Sequence, residues 1–308
     1  MSRAYVVVAV VVTWNRRALL AESLTAVLAQ SPPPHRVVVV DNASTDGTPQ
    51  VVRDRFPEVD LLVAAANSGG AGGFTRGIAR ALQEHDPDLL WLLDDDTVPL
   101  PGALGALVTA YDAYPGGPTG RSPRPALVAS RVLWTDGREH PMNTPRAKPL
   151  TRVEERRRAG AVGCVPVRSA SFVSVLCEAA TVRERGLPIA DYFLWNDDFE
   201  FTTRLLRGRV GLLCPASTVQ HRTASFGSTD VDPGERFFYE VRNKTWLFTR
   251  STGLTRPEKA LYMVSTLARW GRTFRASSDR RTLRRGLRRG LVAGLRAGPR
   301  PNAEVLGV

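Results

Sequence analysis

Cysteine and long apolar runs are both scarce in this sequence. The 308 residues include three cysteines, Cys164, Cys177 and Cys214, and no two of them form a CxxC pair. This spacing argues against a disulfide framework and against a zinc cluster, so a reducing compartment is expected. The longest apolar run, residues 5–12, is much shorter than the about 20 residues of a membrane-spanning helix, and it lacks the cleavage pattern of a secretory signal. We therefore expect a cytoplasmic protein.

Acidic residues are outnumbered, with 42 Lys and Arg against 30 Asp and Glu and a net charge of +12. Most of the excess lies in residues 269–300, which contain eleven arginines and one aspartate, and the rest of the chain has a net charge of +2. A nearly neutral body does not favour a nucleic-acid partner. We interpret the charge as a feature of the C-terminal segment that determines where the protein binds in the cell.

The first 115 residues alternate between apolar runs and amphipathic stretches. The predicted strands are residues 5–12, 36–40, 61–65 and 89–93, and the predicted helices are residues 17–29, 48–55, 74–84 and 102–113. The strands are rich in Val and Leu without alternation, which is typical of strands covered on both faces. This pattern predicts an α/β fold with a mostly parallel, Rossmann-like sheet flanked by helices.

The second half of the sequence is less regular. Residues 115–125 are rich in Pro and Gly and residues 141–158 are polar and basic, so both are predicted to be loops. A strand is predicted at residues 170–179. Helices are predicted at residues 198–207, 257–274 and 280–296, and the last of these is basic and amphipathic.

Polar side chains follow each of the first four predicted strands. Thr13 and Trp14 follow the first strand, Asp41 the second, Asn67 the third and Asp94 the fourth. Ligands of open α/β sheets bind beyond the carboxyl ends of the strands. The sequence therefore predicts one polar crevice at this edge of the sheet.

Asp94, Asp95 and Asp96 are three consecutive carboxylates directly after an apolar strand. Adjacent like charges repel each other, so folding alone gives no reason to place them together. Mg²⁺ or Mn²⁺ prefers oxygen ligands and commonly shares them with substrate phosphates, so a divalent cation that bridges a diphosphate fits this triplet. The alternative is a solvated acidic turn. His221 is a candidate for a further ligand, although its position alone also suits a structural histidine.

A second acidic motif, WNDDFE, lies at residues 195–200. Three acids in four positions suit a helix N-terminus, where the helix dipole favours negative charge. A catalytic role is the alternative. A hydroxyl, such as that of a sugar, must lose its proton when it attacks as a nucleophile, and a carboxylate can accept that proton. Asp197 and Asp198 both suit that role.

Residues 67–74, NSGGAGGF, contain four glycines before a predicted helix. As the GxGxxG motif of a nicotinamide cofactor site the run fails, because Thr75 stands where glycine or alanine is needed. The backbone around Gly70 is instead expected to approach a ligand closely and to offer helix-end N–H groups to it.

These motifs together resemble the glycosyltransferases of family two, whose GT-A fold binds a nucleotide-sugar at the first half of the sheet. Four segments carry the resemblance, in the family's order: residues 11–16, residues 38–48, the triplet at 94–96 and residues 197–200. There is also a narrower resemblance, to the bacterial galactofuranosyltransferases that begin the synthesis of cell-wall galactan. It is carried by residues 67–74, 92–97, 195–201 and 239–244.

The resemblance implies a role for each candidate residue. Asp94 and Asp96 would hold Mn²⁺ or Mg²⁺ together with His221, and Asp198 would be the catalytic base. The implied donor site comprises Thr13, Trp14, Asp41, Asn67, Gly70, Arg76 and Asp95. The implied acceptor site comprises Trp195, Asp197 and Glu200, and Glu200 would orient either the acceptor or the helix that carries it.

The resemblance also implies a reaction. Galactofuranose would pass from UDP-galactofuranose, with inversion, to a polyprenyl-diphosphate-linked N-acetylglucosamine-rhamnose acceptor in arabinogalactan synthesis. The implied division of the chain is a GT-A domain at residues 1–250 and a basic helical extension at 251–308. Within the domain, residues 1–115 would form the nucleotide-binding half and residues 116–250 the acceptor-binding half. The sequence does not indicate an oligomeric state.

A polyprenyl-linked acceptor stays in the membrane, so the enzyme is expected at the inner face of the plasma membrane. Leu283, Leu287, Leu291 and Leu295 recur every four residues, with arginines between them. We expect an interfacial helix here, in which each basic residue near an anionic surface contributes about 1 kcal/mol. The alternative is a solvated helix or a frayed tail.

Three other functions fit parts of the sequence. A rhamnosyltransferase of the same fold that uses dTDP-rhamnose fits the same acids, because only the glycine-rich run favours galactofuranose. A nucleic-acid-binding protein fits the basic tail but leaves both acidic motifs unexplained. A Rossmann oxidoreductase is disfavoured by the failed glycine motif.

Overall fold

The computed structural model describes residues 4–115, 124–141, 144–223, 226 and 232–307. Most of the predicted Pro/Gly-rich connector, residues 116–123, lies outside the described residues.

The first half of the chain builds a parallel sheet. Its elements are β1 (Val7–Thr13), α1 (Arg17–Leu28), β2 (Arg36–Asp41), α2 (Thr48–Arg55), β3 (Asp60–Val63), α3 (Gly69–Glu84) and β4 (Leu89–Asp94). The strands lie in the order β3-β2-β1-β4 and all three pairings are parallel. Every residue of β1 is buried, and its successive side chains belong to apolar clusters on opposite faces of the sheet. The valine-rich strands are therefore covered on both faces, as predicted.

The second half extends the sheet with mixed pairings. Its elements are β5 (Thr97–Pro99), α4 (Ala103–Ala113), β6 (Leu127–Leu133), β7 (Arg146–Ala147), α5 (Val153–Ala161), β8 (Val165–Ser169), β9 (Ser174–Glu178), α6 (Ala179–Arg185), α7 (Asp197–Leu205) and β10 (Gly211–His221). The full order is β3-β2-β1-β4-β9-β6-β10-β8-β7, with β5 paired to β10. The predicted α/β class, with a largely parallel central sheet flanked by helices, is confirmed. Antiparallel pairings enter with β5, β7, β8 and β9.

Two sequence predictions about local structure are wrong. The predicted loop at residues 141–158 contains the start of α5, where Glu154 pairs with Arg157 and Arg158 at 2.9 and 2.8 Å. Such pairs, three and four residues apart, support a helix that shows little apolar periodicity. The predicted helix at 74–84 begins earlier, at Gly69, so the glycine-rich run is helical. A Cβ atom on Gly73 would lie 2.3 Å from Val12 Cγ1, so this glycine lets α3 pack closely on β1.

Four helices end the described chain: α8 (Phe237–Thr249), α9 (Arg256–Ala276), α10 (Arg280–Arg296) and α11 (Asn302–Leu306). None of the helices in the described ranges is long and apolar enough to cross a membrane.

The packing of α10 corrects the expectation of a single exposed leucine stripe. Leu283 is fully buried in a cluster with Phe237 and Val241, and Leu287 packs against the same cluster. Gly286, Gly290 and Gly294 bring the backbone of α10 close to α8. Leu283 and Leu287 therefore pack in the interface between the two helices. Leu291 and Leu295 remain exposed, by 37% and 62%.

Candidate active site

The carboxyl ends of the parallel strands bring predicted site residues to one edge of the sheet. Thr13 at the end of β1 is the register partner of Asp41 at the end of β2. On the other side of β1, Val12 is the partner of Asp94 at the end of β4. Thr13, Asp41 and Asp94 therefore lie within one residue of each other in the register of the sheet.

His221 reaches the same edge through the pairing of β10 with β5. In this antiparallel ladder His221 lies opposite Thr97, the residue directly after the triplet. The Arg222 backbone N–H also donates to the Asp96 carbonyl at 2.8 Å. As a result, His221 Nε2 lies 2.9 Å from Asp96 Oδ1, although 125 residues separate the two in sequence.

Asp94, Asp96 and His221 form a cluster that could hold a metal ion. One potential ligand atom from each residue lies within 4.8 Å of the others. Asp96 Oδ1 and His221 Nδ1 are buried, and apart from the contact of Asp96 Oδ1 with His221 Nε2 they have no hydrogen-bond partner among the described residues. Buried polar atoms are usually satisfied, so their presence in a cluster of oxygen and nitrogen donors fits a bound divalent cation.

Burial and mutual charge shift the pKa values of this cluster in different directions. Burial, with the Asp96 carboxylate nearby, raises the pKa of Asp94 to about 7. Burial acts in the same direction on Asp96, but His221 and Arg16 outweigh it and hold the pKa of Asp96 below its ordinary value. Burial alone would lower the pKa of His221, yet Asp96 keeps it above the ordinary value. A cation at this site would favour the ionised form of both carboxylates.

Asp95 is held differently from its two neighbours. Its Oδ2 accepts hydrogen bonds from Thr13 Oγ1 at 2.8 Å and from the Trp14 backbone N–H at 3.4 Å. Arg16 Nη1 lies 3.1 Å from its Oδ1 and also contacts Asp96. Sequence analysis missed Arg16, although it directly follows the polar end of β1. Its guanidinium offsets part of the repulsion within the triplet.

The second acidic motif meets the first in one pocket. This pocket has a volume of about 710 Å³, and its walls include Asp94, Asp96, His221, Asp197 and Asp198. The two acidic motifs, which are a hundred residues apart in the chain, therefore face the same space.

The two aspartates at the start of α7 differ in their surroundings. Burial and the neighbouring Asp198 raise the pKa of Asp197 well above its ordinary value. Burial also raises the pKa of Asp198, but the charges of Lys244 and Arg146 oppose this shift. Asp198 Oδ1 additionally accepts a hydrogen bond from the Phe199 backbone N–H at 2.6 Å.

The loop that leads into α7 has unusual backbone geometry. Phe193, Trp195 and Asn196 have φ values of 62°, 65° and 65°, a region that residues with side chains rarely adopt. The Asn243 side chain on α8 donates to the carbonyls of Leu194 and Trp195, each at 2.8 Å. These bonds brace the loop and fix where α7 begins. The motif at residues 239–244 does not by itself predict this bracing role, because Asn243 and the loop are distant in the chain.

Two predicted site residues have partners outside the pocket. Arg76, like Thr13, Trp14, Asp41 and Asn67, is not among the residues that line the pocket, and its Nη2 donates to the Leu306 carbonyl at 2.7 Å. Its place in the donor site stays a prediction. Glu200 is buried and pairs with Arg204 at 3.0 Å, and it accepts a hydrogen bond from Ser251 Oγ at 2.8 Å. Glu200 therefore anchors α7 through Arg204 and Ser251, and a role of Glu200 toward the acceptor stays a prediction.

The remaining predicted residues surround the strand ends. Trp195 and Gly70 line the pocket, and a Cβ atom on Gly70 would meet nothing within 4 Å. Asp41 Oδ2 accepts a hydrogen bond from the Ser44 backbone N–H at 2.9 Å, and Asn67 Oδ1 accepts one from Gly69 N–H at 2.8 Å. Trp14 is 52% exposed beside the triplet.

Comparisons with known proteins find similarity to glycosyltransferases. Residues 8–147 match the family described as glycosyl transferase family 2. Galactofuranosyltransferase GlfT1 of Mycolicibacterium smegmatis is 28% identical over 272 residues, which cover 81% of this chain and 85% of that protein. N-acetylglucosaminyl-diphospho-decaprenol L-rhamnosyltransferase of Mycobacterium tuberculosis is 28% identical over 250 residues, which cover 73% of this chain and 78% of that protein.

Solved structures share the fold at low sequence identity. Staphylococcus aureus TarS 1–349 in complex with UDP-GlcNAc has a TM-score of 0.60 and 15% identity, over 93% of this chain and 81% of that one. The mannosyltransferase PcManGT from Pyrobaculum calidifontis, in complex with GDP-Man and Mn²⁺, has a TM-score of 0.53 and 18% identity, over 99% and 79%. These likenesses establish the GT-A fold. The chain therefore matches glycosyl transferase family 2 over residues 8–147 and resembles the GlfT1 galactofuranosyltransferases over 81% of its length.

Proposed function

We propose that this protein is an inverting, metal-dependent galactofuranosyltransferase. Its donor would be UDP-galactofuranose, and its acceptor a polyprenyl-diphosphate-linked N-acetylglucosamine-rhamnose in cell-wall galactan synthesis. The observation that carries the proposal is the meeting of Asp94, Asp96 and His221 with Asp198 in one pocket. The resemblance to GlfT1 over 81% of the chain supports the choice of sugar.

The acidic cluster fits a divalent cation, Mn²⁺ or Mg²⁺, held by Asp94, Asp96 and His221. Their ligand atoms lie within 4.8 Å of one another, and Asp96 Oδ1 and His221 Nδ1 lack other partners among the described residues. Such a cation would supply positive charge where the departing diphosphate becomes more negative. In this proposal Asp95 and the strand ends at Thr13, Trp14, Asp41 and Asn67, together with Gly70, hold the donor.

The chain's own residues perform the transfer as follows. The Asp198 carboxylate accepts the proton of the acceptor hydroxyl, whose oxygen then bonds to the anomeric carbon of galactofuranose. The bond from that carbon to the β-phosphate oxygen breaks, and its electron pair leaves with UDP. A single displacement inverts the anomeric configuration. Trp195 and Asp197, which line the pocket beside the base, would contact the acceptor.

A rhamnosyltransferase is the second candidate. The chain is also 28% identical to an N-acetylglucosaminyl-diphospho-decaprenol L-rhamnosyltransferase, and the acidic motifs do not distinguish the two sugars. In that case dTDP-rhamnose would be the donor, and the same residues would perform the same displacement.

The test is a transfer assay with a panel of donors. Purified protein is incubated with Mn²⁺ or Mg²⁺, with UDP-galactofuranose, UDP-galactopyranose or dTDP-rhamnose, and with synthetic lipid diphosphates that carry either N-acetylglucosamine or rhamnosyl-N-acetylglucosamine. Product mass and anomeric configuration are then determined. We expect inverted transfer of galactofuranose to the disaccharide lipid, with loss of activity in EDTA. Transfer of rhamnose to the monosaccharide lipid would establish the second candidate instead, and no transfer from any donor would refute both.

We further propose that the enzyme binds the inner face of the plasma membrane through the outer face of α9. This face consists of Leu261, Val264 and Leu267, which are 56%, 68% and 56% exposed and recur at intervals of three residues. Basic residues, Arg272 and Arg275, follow it on the same helix. An exposed apolar face beside basic side chains suits an anionic lipid surface.

A further inference from the structure

The pocket lining carries charges of both signs. Its acids include Asp94, Asp96 and Asp198, which the proposed mechanism uses. Its cations include Arg146 of β7, Lys244 of α8 and Arg236, which directly precedes α8. The mechanism as described gives these cations no role.

Lys244 is the most unusual of them. Its residue is only 4% exposed, yet its ammonium makes no hydrogen bond or ion pair within the part of the chain that the structure describes. Its Nζ lies 4.7 Å from the centre of the Phe199 ring. Burial lowers the pKa of Lys244 to about 8, which reflects the cost of holding this charge away from water.

Arg146 lies against the same aromatic ring. Its guanidinium carbon is 5.5 Å from the Phe199 ring centre, and the side chain makes no ion pair with the described residues. The charges of Arg146 and Lys244 therefore act on each other across one ring and repel. We call these two side chains the cation pair.

The carboxylates near the cation pair are already engaged. The charge of Glu240 acts on Lys244, but Glu240 accepts hydrogen bonds from Asn196 at 2.8 Å and from Trp270 at 3.1 Å and pairs with Arg269. Asp198 is the proposed base and must remain free for the acceptor hydroxyl. Lys244 is therefore buried with no carboxylate at ion-pair distance among the described residues, and a ligand anion between it and Arg146 would offset the cost of burying its charge.

We propose that Lys244 and Arg146, with Arg236 in the same pocket, form a second anion site that binds the diphosphate of the lipid-linked acceptor. This inference rests on the proposed function, in which the donor diphosphate lies with the cation at Asp94 and Asp96. The site lies next to the base, because Phe199 directly follows Asp198 and its ring contacts both cations. The acceptor hydroxyl and the acceptor anion would then be held by adjacent parts of one wall.

The test measures acceptor binding without relying on turnover. Wild-type protein, with UDP and Mn²⁺ saturating the donor side, is titrated with farnesyl diphosphate and with neutral farnesol by calorimetry. The variants are Lys244→Met and the exposed Arg146→Gln, and the matched control is Arg53→Gln on α2, outside the pocket. Circular dichroism and melting temperature establish that each variant is folded, and UDP affinity is measured in parallel.

We expect farnesyl diphosphate to bind the wild type and the control, and to bind each cation variant about 10-fold or more weakly. Affinities for UDP and farnesol should not change. Equal farnesyl diphosphate affinity in all proteins, or no binding to the wild type, would overturn the inference. Loss of UDP affinity in the variants would assign the cations to the donor and would also overturn it. The identity of the transferred sugar does not enter these measurements, so the proposed function stands or falls separately.

If Lys244→Met does not fold, Arg146→Gln alone decides the question, because Arg146 is exposed and its substitution leaves the packing intact.

Discussion

At the scale of single residues, the surroundings separate two aspartates that the sequence leaves equivalent. Asp197 is buried and its pKa is raised well above the ordinary value, by burial first and then by Asp198. Burial also raises the pKa of Asp198, but two nearby cations, Lys244 and Arg146, act against the shift. Asp198 is therefore the better candidate for a carboxylate that is ionised at neutral pH and can accept a proton.

Replacing the proposed base tests this assignment. Asp198→Asn keeps the size and polarity of the side chain but cannot accept the proton, so kcat should fall by about 10²- to 10⁴-fold. UDP affinity should stay within experimental error of the wild type, as measured by calorimetry with Mn²⁺. Asp112→Asn is the control. Asp112 lies away from the pocket, where it accepts hydrogen bonds from Tyr5 and Arg124. Normal turnover of Asp198→Asn would show that another group takes the proton.

At the scale of secondary structure, α8 connects the active site to the C-terminal helices. One of its faces presents Asn243, which braces the loop before α7, and Lys244, which lines the pocket. Another face packs on α10, where a Cβ atom on Gly290 would lie 2.7 Å from Val241 Cβ and 2.9 Å from the Phe238 carbonyl oxygen. A disturbance of the α8–α10 interface should therefore reach the loop that carries Trp195 and leads into α7, where the base lies.

Two glycines within helices provide a matched test of this interface. Gly290→Ala should lower the free energy of unfolding by about 1–3 kcal/mol, because the new methyl group overlaps Val241 and the α8 backbone. Gly271→Ala on α9 should raise it by about 0.5–1 kcal/mol, because the residue is exposed and a Cβ atom there meets nothing within 4 Å. Chemical denaturation measures both. A stabilising Gly290→Ala would contradict the close packing described here.

At the scale of the whole molecule, the C-terminal segment is part of the folded body. Arg300 pairs with Asp191 at 2.8 Å, and Trp246 Nε1 donates to the Ala297 carbonyl at 2.7 Å. Asn302 Oδ1 accepts a hydrogen bond from the Ala190 backbone N–H at 2.9 Å. Removing α10 and α11 would therefore uncover core residues as well as remove basic charge, so point substitutions test membrane binding more cleanly than truncation.

Charged substitutions on the outer face of α9 test the proposed membrane surface. The double variant Val264→Glu/Leu267→Glu should sediment with anionic phospholipid vesicles about 10-fold less than the wild type, because each side chain loses its apolar contact and adds negative charge. Transfer to a short soluble acceptor should persist. Val153→Glu is the control, since Val153 on α5 is also apolar and 75% exposed. Unchanged sedimentation of the double variant would exclude this face as the contact.

The sequence by itself determined the α/β units, the polar strand ends and the two acidic motifs, because each depends on local periodicity or on unusual local charge. It also allowed the recognition of the glycosyltransferase resemblance. Only the tertiary structure decided which residues meet: the β5–β10 pairing brings His221 to Asp96, while Arg76 and Glu200 turn to partners outside the pocket. The buried charge of Lys244 and the contact of α10 with α8 were likewise beyond prediction, since they depend on neighbours distant in the chain. Local patterns show which chemical groups a chain contains, whereas long-range packing determines which of those groups come together.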